Sequence, residues 1–268
     1  MSVFARFRLA VSIRHRLALW HERRALEGPG AFVVPSEQAR ADLIDAYGPS
    51  GESVVVIPNG VDLDRFHPKT RTLFFGEERD ALGIGPEELV LLFVGSDLWR
   101  KGLDRVLPAF ARLAPRFEEL RLLVLGDDAR RSRFEAEAEK LGVRGRVAFL
   151  PAHPAPEKLY AASDVLILPT RHDPFANVTL EALACGVPVI TSPSNGAGST
   201  LGASESLVVL TDPDDPEEMA YAIENMLAPE RLPRLRDLAR SQAASWGEEP
   251  FVAHWESLIV SIAESRDE

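Results

Sequence analysis

Residues 165–192 read VLILPTRHDPFANVTLEALACGVPVITS, and the order of elements in this stretch decides the fold. An apolar strand at Val165–Leu168 is followed by a polar loop that carries Asp173, and then by a short helix. Gly186 ends that helix, because glycine commonly stops helices, and a second apolar strand follows at Val187–Thr191. A strand, a helix and a strand in this order predict a β-α-β unit with two parallel strands.

The same alternation of apolar runs and helical segments continues on both sides of this unit. The further apolar runs lie at Leu89–Val94, Leu122–Leu125, Val147–Leu150 and Leu207–Leu210. Continuous apolar strands separated by helices are typical of a parallel sheet that is covered on both faces. We therefore predict an α/β fold with a six-stranded Rossmann-like sheet. In such sheets, ligands bind beyond the carboxyl ends of the strands where the strand order reverses.

Helices are predicted from core stripes and from start and stop signals. The segment after the first of these strands has a stripe formed by Leu103, Val106, Leu107, Phe110 and Leu113. Helical spacing places these five side chains on one face. Later helices are predicted near Pro216–Leu227, Arg231–Ala244 and Phe251–Ala263. Residues 68–88, which contain several Gly and Glu residues, are predicted to be a connector.

The first 57 residues have a different pattern. Short strands are predicted at Ala31–Val34 and Ser53–Ile57, the second ending at the turn Pro58-Asn59-Gly60. Between them, Ser36 is predicted to cap a helix that ends near Tyr47. We interpret these elements as a partial α/β segment that precedes the main sheet.

The start of the chain predicts a basic amphipathic helix. Apolar residues recur at spacings of three and four, at Val3, Phe7, Ala10, Ile13, Leu17 and Trp20. Residues 1–24 hold six arginines against one glutamate, a local net charge of +5. Two interpretations stay open: a helix attracted to an anionic membrane surface, or a helix whose apolar stripe packs on other protein structure.

Composition excludes several classes of protein. The net charge of −11 argues against nucleic-acid binding, which depends on Lys and Arg contacts to phosphates. A single cysteine, Cys185, excludes an internal disulfide, and no Cys and His cluster has zinc spacing. No apolar run reaches the roughly 18 residues of a membrane span. We therefore expect a cytoplasmic protein, with peripheral association with the inner face of the membrane as an option.

Two adjacent cations follow the strand at Leu89–Val94. The loop reads GSDLWRKG (Gly95–Gly102) and places Arg100 beside Lys101. We predict both at the start of the next helix, where the helix dipole favours anions, so a bound anion would resolve the conflict. Gly95 would let the backbone approach a ligand, and Arg and Lys both grip phosphate. The alternative is a solvated basic pair near a helix end.

The loop of the quoted stretch also has features of an anion site. A helix that starts near Asn177 would leave backbone N–H groups unpaired around Ala176 to Thr179, and such groups bind phosphate. Glu181 lies about one turn into this helix and its side chain leans back toward the start, so it could reach a ribose behind the phosphate. The alternative is a surface acid on a short helix.

Other nucleotide sites are disfavoured by their motifs. The chain has no Gly-x4-Gly-Lys-Ser/Thr phosphate loop, which excludes a P-loop ATPase at the motif level. A glycine-rich turn at Gly196, Gly198 and Gly202 is not followed by an amphipathic helix, which argues against a dinucleotide fingerprint. Cys185 is interpreted as a small buried apolar residue, not a nucleophile.

With these loops in place, the chain resembles the C-terminal domain of retaining GT-B glycosyltransferases of family 4, over roughly residues 30 to 230. The signature of that family is two acids separated by seven residues, and Asp173 and Glu181 have this spacing, with Asp in place of the usual first Glu. The stretches VGSDLWRKGLDR (94–105) and AEKLGVRGRVAFL (138–150) are similar to family members that add glucose to the heptose of the lipopolysaccharide inner core.

The resemblance implies a donor and a set of roles. The donor is expected to be UDP-glucose or a close relative, transferred with retention at the anomeric carbon. Arg100 and Lys101 would hold the diphosphate and Asp173 the sugar hydroxyls, which makes these three the catalytic candidates. Glu181 would hold the ribose hydroxyls. The remaining expected donor contacts are Gly95, Ser96, Val147, Phe149, Phe175, Ala176, Asn177 and Val178, with the backbone near 147–150 facing the base. No metal and no further cofactor are expected.

The resemblance also implies how the chain is divided. Residues 1–57 would be the last elements of an N-terminal, acceptor-side domain, residues 58–245 the donor-binding domain, and residues 246–268 a C-terminal helix that packs back toward the N-terminal half. The chain is then expected to be incomplete for transfer on its own, with an N-terminal half in another chain as a possible partner.

Three functions are weighed on this basis. The first is a retaining hexosyltransferase acting on a lipopolysaccharide-core or other cell-envelope glycan or glycolipid. The second is a non-catalytic nucleotide-sugar binding module or a subunit of a split glycosyltransferase. The third is a nucleotide-sugar epimerase, disfavoured because the surroundings of the two acids are those of transferases.

Overall fold

The computed structural model describes Leu17, Trp20, His21, Arg24, residues 32–48 and residues 53–264. Of the basic amphipathic helix predicted at the start of the chain, Leu17 and Trp20 are described and are helical. The rest of that prediction lies outside the described residues.

The strands of the described residues follow the predicted apolar runs. They are β1 (Phe32–Val34), β2 (Val54–Val56), β3 (Leu89–Val94), β4 (Leu120–Leu125), β5 (Val147–Leu150), β6 (Val165–Leu168), β7 (Val189–Thr191) and β8 (Leu207–Val209). The helices are α1 (Glu37–Tyr47), α2 (Lys69–Leu82), α3 (Leu98–Lys101), α4 (Leu103–Leu113), α5 (Arg131–Lys140), α6 (Pro156–Ala162), α7 (Asn177–Ala184), α8 (Gly196–Leu201), α9 (Pro216–Leu227), α10 (Leu232–Ala243) and α11 (Glu248–Glu264). A 3₁₀ turn at Arg144–Arg146 precedes β5.

Six of the strands form one parallel sheet in the order β5-β4-β3-β6-β7-β8. The chain builds outward from β3 to β5, then crosses over to β6 and builds outward to β8. The strand order therefore reverses between β3 and β6, which pair directly. The predicted α/β class and the six-stranded Rossmann-like sheet are confirmed. Strands β1 and β2 form a separate parallel pair.

The core lies on both faces of this sheet. Helix α4 buries all five residues of its predicted stripe, which are Leu103, Val106, Leu107, Phe110 and Leu113. On the strands, Val90 to Phe93 alternate between the two faces and are all fully buried. Each fully buried leucine or phenylalanine contributes about 1.5 to 3 kcal/mol, so the two faces together hold the loops at the strand ends in fixed positions.

The predicted connector at residues 68–88 contains helix α2, so that prediction was wrong. Helix α2 has no apolar stripe, because its buried positions are Thr70, Glu78 and Arg79. The guanidinium of Arg79 is 2% exposed and forms an ion pair with Asp164. Hydrophobic periodicity cannot indicate a helix that packs through buried polar side chains.

The last helix, α11, lies at the surface, as does α1, which also contains no buried residue. It contains no buried residue, and Val252, Ile259 and Val260 on it are exposed. It meets the rest of the chain near Gly60, where an added Cβ would lie 2.9 Å from the Cβ of Phe251. Every helix in the described part of the chain is too short or too polar to cross a membrane.

Candidate functional site

The loops after β3 and β6 meet where the strand order reverses. The backbone N–H of Arg171 donates to the carbonyl oxygen of Arg100 at 2.7 Å, and the hydroxyl of Thr170 donates to the same oxygen at 3.1 Å. Gly102 has φ +90°, and a Cβ there would lie 2.2 Å from the carbonyl oxygen of Pro169. Only glycine fits at this crossing.

A cluster of two cations and one acid joins these loops. The Nζ of Lys101 lies 2.6 Å from Oδ2 of Asp173, and Nη1 of Arg100 lies 3.3 Å from the same oxygen. Arg100 also donates to the carbonyl oxygen of His172 at 2.7 Å. The side chains of Lys101 and Asp173 are 12% and 11% exposed, whereas that of Arg100 is 37% exposed. The three side chains predicted to be catalytic therefore lie together, and Arg100 also faces a second acid, because its Nε lies 3.8 Å from Oδ2 of Asp97.

The predicted position of the two cations was wrong. Arg100 and Lys101 form the last turn of the short helix α3 and do not begin the following helix. Gly102 separates the two helices, and the end of a helix favours cations, so no dipole conflict exists. Two acids of the protein face these cations, Asp173 beside both of them and Asp97 beside Arg100.

Gly95 makes room for Lys101. A Cβ at position 95 would lie 2.6 Å from Cγ of Lys101, so a larger residue would displace the lysine side chain from its path toward Asp173. The neighbouring Ser96 is exposed. Gly95 therefore acts on the site through the lysine, a role that the sequence did not indicate.

Two of the backbone donors before helix α7 are already paired. The N–H of Phe175 donates to Oδ1 of Asp173 at 3.2 Å, and the N–H of Ala176 donates to Oδ1 of Asn195 at 3.2 Å. The prediction of a row of unpaired N–H groups near Ala176 was therefore wrong at that residue. Side-chain oxygens from the two adjacent loops cap the approach to the helix.

The next positions keep free donors. The N–H of Thr179 donates to the carbonyl oxygen of Ala176 at 2.9 Å. Within the described residues, the backbone N–H groups of Asn177 and Val178 donate to no acceptor. The anion site at the start of α7 is thus narrower than predicted and consists of two N–H groups.

Asn195 organises this region, and sequence reasoning missed it. Its side chain is fully buried, and its Nδ2 donates to the hydroxyls of Thr179 and Thr191, both at 2.9 Å. Its Oδ1 also caps helix α8 by accepting from the N–H of Ala197 at 3.1 Å. An asparagine directly before a glycine-rich helix is an N-cap signal, so the capping role could have been found from the sequence.

Glu181 borders a hollow of about 260 Å³ next to the start of α7. Its Oε2 accepts a hydrogen bond from the hydroxyl of Tyr160 at 2.8 Å. Burial raises the pKa of the Glu181 carboxyl, while the bond from Tyr160 and the charge of Arg65 lower it. On the rim of the hollow, Asn59 donates to Oδ1 of Asn177 at 2.7 Å. The turn after β2 therefore covers the start of α7.

Val147 and Phe149 are not brought to this cluster. They lie on β5, the edge strand two places from β3, which corresponds to about 10 Å. Their carbonyl oxygens accept from Arg144 and Arg131, both at 3.0 Å. These arginines cover the open edge of the strand, so the predicted contact of this backbone with a base stays a prediction.

The N-terminal pair of strands and helix α1 reach the same loop. Ser36 caps α1 by accepting from the N–H of Ala39 at 3.1 Å, as predicted. Its hydroxyl also donates to the carbonyl oxygen of Pro174 at 2.6 Å, and the side chain is fully buried. A Cβ at Gly196 would lie 2.3 Å from that hydroxyl oxygen. This long-range contact could not be predicted from the sequence.

Other reactive groups lie away from the cluster. Cys185 is buried, and burial raises the pKa of its thiol to about 12, so it is inert as a nucleophile at neutral pH. No group of three or more His, Cys, Asp or Glu side chains suited to a metal ion occurs in residues 32–48 and 53–264.

Comparison with known proteins identifies related sequences. The profile of the family "Glycosyl transferases group 1" matches residues 74–244, and that of "Glycosyltransferase Family 4" matches residues 3–65. The D-inositol 3-phosphate glycosyltransferase of Segniliparus rotundus is 32% identical over 250 residues, which are 88% of this chain and 54% of that protein.

A second relative is the lipopolysaccharide glucosyltransferase WaaG of Escherichia coli (strain K12). It is 32% identical over 228 residues, which are 82% of this chain and 59% of that protein. A crystal structure of WaaG superimposes with a TM-score of 0.77 at 29% identity and covers 90% of this chain and 67% of that one. The chain thus spans little more than half the length of the curated relatives that it matches.

Proposed function

The chain belongs to the glycosyl transferases group 1 family, and from this premise we propose that the cluster of Arg100, Lys101 and Asp173 binds the diphosphate and sugar of a UDP-sugar donor. The observation that carries the proposal is the pair of adjacent cations, Arg100 and Lys101, held beside Asp173 at the point where the strand order reverses. Parallel α/β sheets bind their ligands at that point.

The diphosphate is held by Arg100 and Lys101. Lys101 forms an ion pair with Asp173 at 2.6 Å. A phosphate oxygen beside the lysine would form a second ion pair with the same ammonium group. Arg100 is more exposed and has further N–H groups that can donate bidentately. The N–H groups of Asn177 and Val178 supply two more donors at a helix start, where the dipole favours an anion.

Asp173 contacts the sugar hydroxyls. Its carboxylate accepts from Lys101 and Arg100 and from the N–H of Phe175, which fixes both oxygens. A carboxylate held in this way accepts hydrogen bonds from hydroxyl groups with little loss of side-chain freedom. Glu181 holds the ribose hydroxyls in the hollow that it borders.

The reaction is transfer of a hexose with retention. As the bond between the sugar and the diphosphate breaks, charge develops on the diphosphate, and the two fixed cations stabilise it. The acceptor hydroxyl must lie on the same face as the leaving group, within about 3 to 3.5 Å of the reacting carbon. The chain shares only part of its relatives' length, so the acceptor groups belong to the whole enzyme.

The sugar and acceptor are proposed from the relatives' names. The Escherichia coli relative is named a lipopolysaccharide glucosyltransferase, which supports glucose and a lipopolysaccharide-core or other cell-envelope acceptor. The Segniliparus relative is named for an inositol 3-phosphate acceptor, which makes a small phosphorylated polyol the second candidate. Residues 58–245 would be the donor-binding domain between an acceptor-side segment (1–57) and a C-terminal helix (246–268), in a cytoplasmic or peripheral membrane protein.

Calorimetry with the 268-residue chain tests donor binding. UDP, GDP, ADP and UDP-glucose are titrated into the wild type, Lys101→Ala and the exposed control Lys140→Ala. We expect UDP and UDP-glucose to bind, Lys101→Ala to weaken both by the roughly 1.5 to 3 kcal/mol of a charge-assisted hydrogen bond, and the control to bind normally. Equal affinity of Lys101→Ala and the wild type would contradict the diphosphate role.

Transfer of radiolabelled glucose tests the acceptor. UDP-glucose is incubated with the chain and either lipopolysaccharide-core oligosaccharide or inositol 3-phosphate, with and without a matching N-terminal half from a relative. Label on the core oligosaccharide supports the first acceptor class, and label on the inositol phosphate supports the second. Donor binding without transfer under any condition would favour a nucleotide-sugar binding subunit.

A further inference from the structure

Tyr160 places a hydroxyl group behind Glu181. The tyrosine lies in α6, is 1% exposed, and packs edge to face on Phe66 with ring centroids 6.0 Å apart. Its hydroxyl donates to Oε2 of Glu181 at 2.8 Å. The ring is thus part of the core, and its polar end meets Glu181, which borders the hollow together with Asp62 and Glu248.

A buried hydroxyl is costly unless it is hydrogen-bonded, and a phenylalanine would fill the same space in the core without that cost. The bond to Glu181 is the hydrogen bond that offsets it. Burial also raises the pKa of Tyr160, so the hydroxyl stays protonated, and an ionised Glu181 carboxylate can only accept from it. The direction of this hydrogen bond is therefore fixed.

No other described side chain orients the Glu181 carboxylate by a hydrogen bond. The nearest cation, Arg65, donates instead to Glu157 at 3.0 and 2.9 Å. The second oxygen of Glu181, Oε1, accepts no hydrogen bond within residues 53–264. One oxygen is thus held from behind while the other remains available at the hollow.

We propose that Tyr160 is a positioning residue for recognition of a ribose, because its hydroxyl fixes Glu181 so that the free carboxylate oxygen accepts from the ribose hydroxyls. This inference rests on the proposed role of Glu181. Without the hydroxyl, the carboxylate rotates about its last torsion. Ligand binding must then order the carboxylate, and the entropic cost of this ordering weakens the affinity. Selection of ribose over deoxyribose then weakens.

Binding of two nucleotides separates this role from a structural one. Dissociation constants for UDP and 2′,3′-dideoxyuridine diphosphate are measured for the wild type, Tyr160→Phe, Glu181→Gln and the exposed control Tyr221→Phe. We expect Tyr160→Phe to bind UDP about tenfold more weakly, as for loss of one hydrogen bond to a charged group, and to bind the dideoxy nucleotide normally. A double variant that combines Tyr160→Phe with Glu181→Gln should bind UDP no more weakly than Glu181→Gln alone.

The possible contrary results point to different errors. A wild type that binds neither nucleotide would contradict the proposed donor site as a whole. A wild type that binds both nucleotides equally would remove the ribose role of Glu181 and this inference with it. Discrimination that is lost in Glu181→Gln but kept in Tyr160→Phe would overturn the role of Tyr160 alone. Equal losses for both nucleotides in Tyr160→Phe would also overturn it, because they would show a purely structural effect.

Discussion

Two buried aspartates at opposite ends of the same sheet bind cations in different ways. Asp164 precedes β6 and Asp173 follows it. Asp164 pairs with three arginines, which are Arg71, Arg79 and Arg236. Asp173 pairs with one lysine and one arginine. Each aspartate pairs with more than one cation, so charge alone does not distinguish a structural cluster from a ligand site.

The difference lies in what remains free to bind. At the amino end, Arg79 donates to Asp164, to the carbonyl oxygen of Ala162 and to that of Glu88, and its side chain is 2% exposed. Asp164 also accepts from the N–H of Val90 at 2.9 Å. At the carboxyl end, the side chain of Arg100 is 37% exposed, and it pairs with Asp173 and Asp97 at 3.3 and 3.8 Å. We infer that the first cluster stabilises the fold, whereas the second is the proposed donor site.

The largest expected effect is on stability at the amino end. Arg79→Met removes one partner of a buried ion pair and should lower the free energy of unfolding by about 3 to 5 kcal/mol. Urea denaturation measures the loss, and the exposed pair of Arg234 and Glu205 provides the matched control, since solvent screens this pair and Arg234→Met should leave the free energy of unfolding nearly unchanged. Similar costs for both variants would mean that the cluster is not structural.

The next effect concerns the carboxyl end. Asp173→Ala should leave the affinity for free UDP near the wild-type value and weaken UDP-glucose by the roughly 1.5 to 3 kcal/mol of a charge-assisted hydrogen bond. The reason is that only the intact donor carries the sugar that Asp173 contacts. Calorimetry with both ligands checks this, and equal losses for both would remove the sugar-contact role.

A smaller effect is expected from pH. Burial raises the pKa of Glu181, so its carboxylate becomes protonated at a higher pH than an exposed glutamate does. Ribose hydroxyls donate to the ionised form, and UDP affinity should therefore fall as the pH decreases through this raised pKa. The free energy of unfolding of the ligand-free protein depends on pH with the opposite sign. It should decrease as the pH rises from the pKa of Glu181 in the unfolded chain to the raised pKa in the folded protein, because ionisation of the buried carboxyl is unfavourable.

Glu181→Gln is the control for this pH dependence. The titration of the UDP phosphate is the same for both proteins, so the difference between the two binding curves isolates the carboxylate. The groups that act on it are Tyr160, Arg65 and Glu157. Parallel curves for the wild type and the variant across acidic pH would contradict the ribose role.

The last prediction is that removal of divalent metal ions leaves UDP affinity unchanged. In the proposed site, Arg100, Lys101 and the helix start near Asn177 would supply the neutralisation that a metal ion gives in other transferases. UDP binding should therefore be unchanged by EDTA when it is measured in the same buffer with and without added Mg²⁺. Loss of binding on chelation would show that the assignment of the cations is wrong.

Most of the fold was predictable, because the strands of the sheet are continuous apolar runs. The runs at Leu89–Val94, Val147–Leu150 and Val165–Leu168 match β3, β5 and β6 residue for residue. Helix α2 was missed because its buried face is formed by Thr70, Glu78 and Arg79. A buried arginine gives no periodic signal in a sequence.

The site was predictable as a set of residues and less so as a geometry. Adjacent motifs indicated Arg100, Lys101 and Asp173, and the structure brings them together. The turn at Gly102 that ends α3 was not indicated, and it reverses the argument from the helix dipole. Contacts between distant segments, such as Tyr160 with Glu181, depend on packing that one sequence does not encode locally.

Hydrogen exchange of the chain with and without UDP tests most directly which end of the sheet binds the donor. Exchange is followed by mass spectrometry on peptides that cover residues 95–102, 173–182 and 71–90. The account predicts that UDP slows exchange in the first two regions and leaves the third, around the Asp164 cluster, unchanged. Protection confined to residues 71–90, or no protection at residues 95–102 at a saturating UDP concentration, would contradict it.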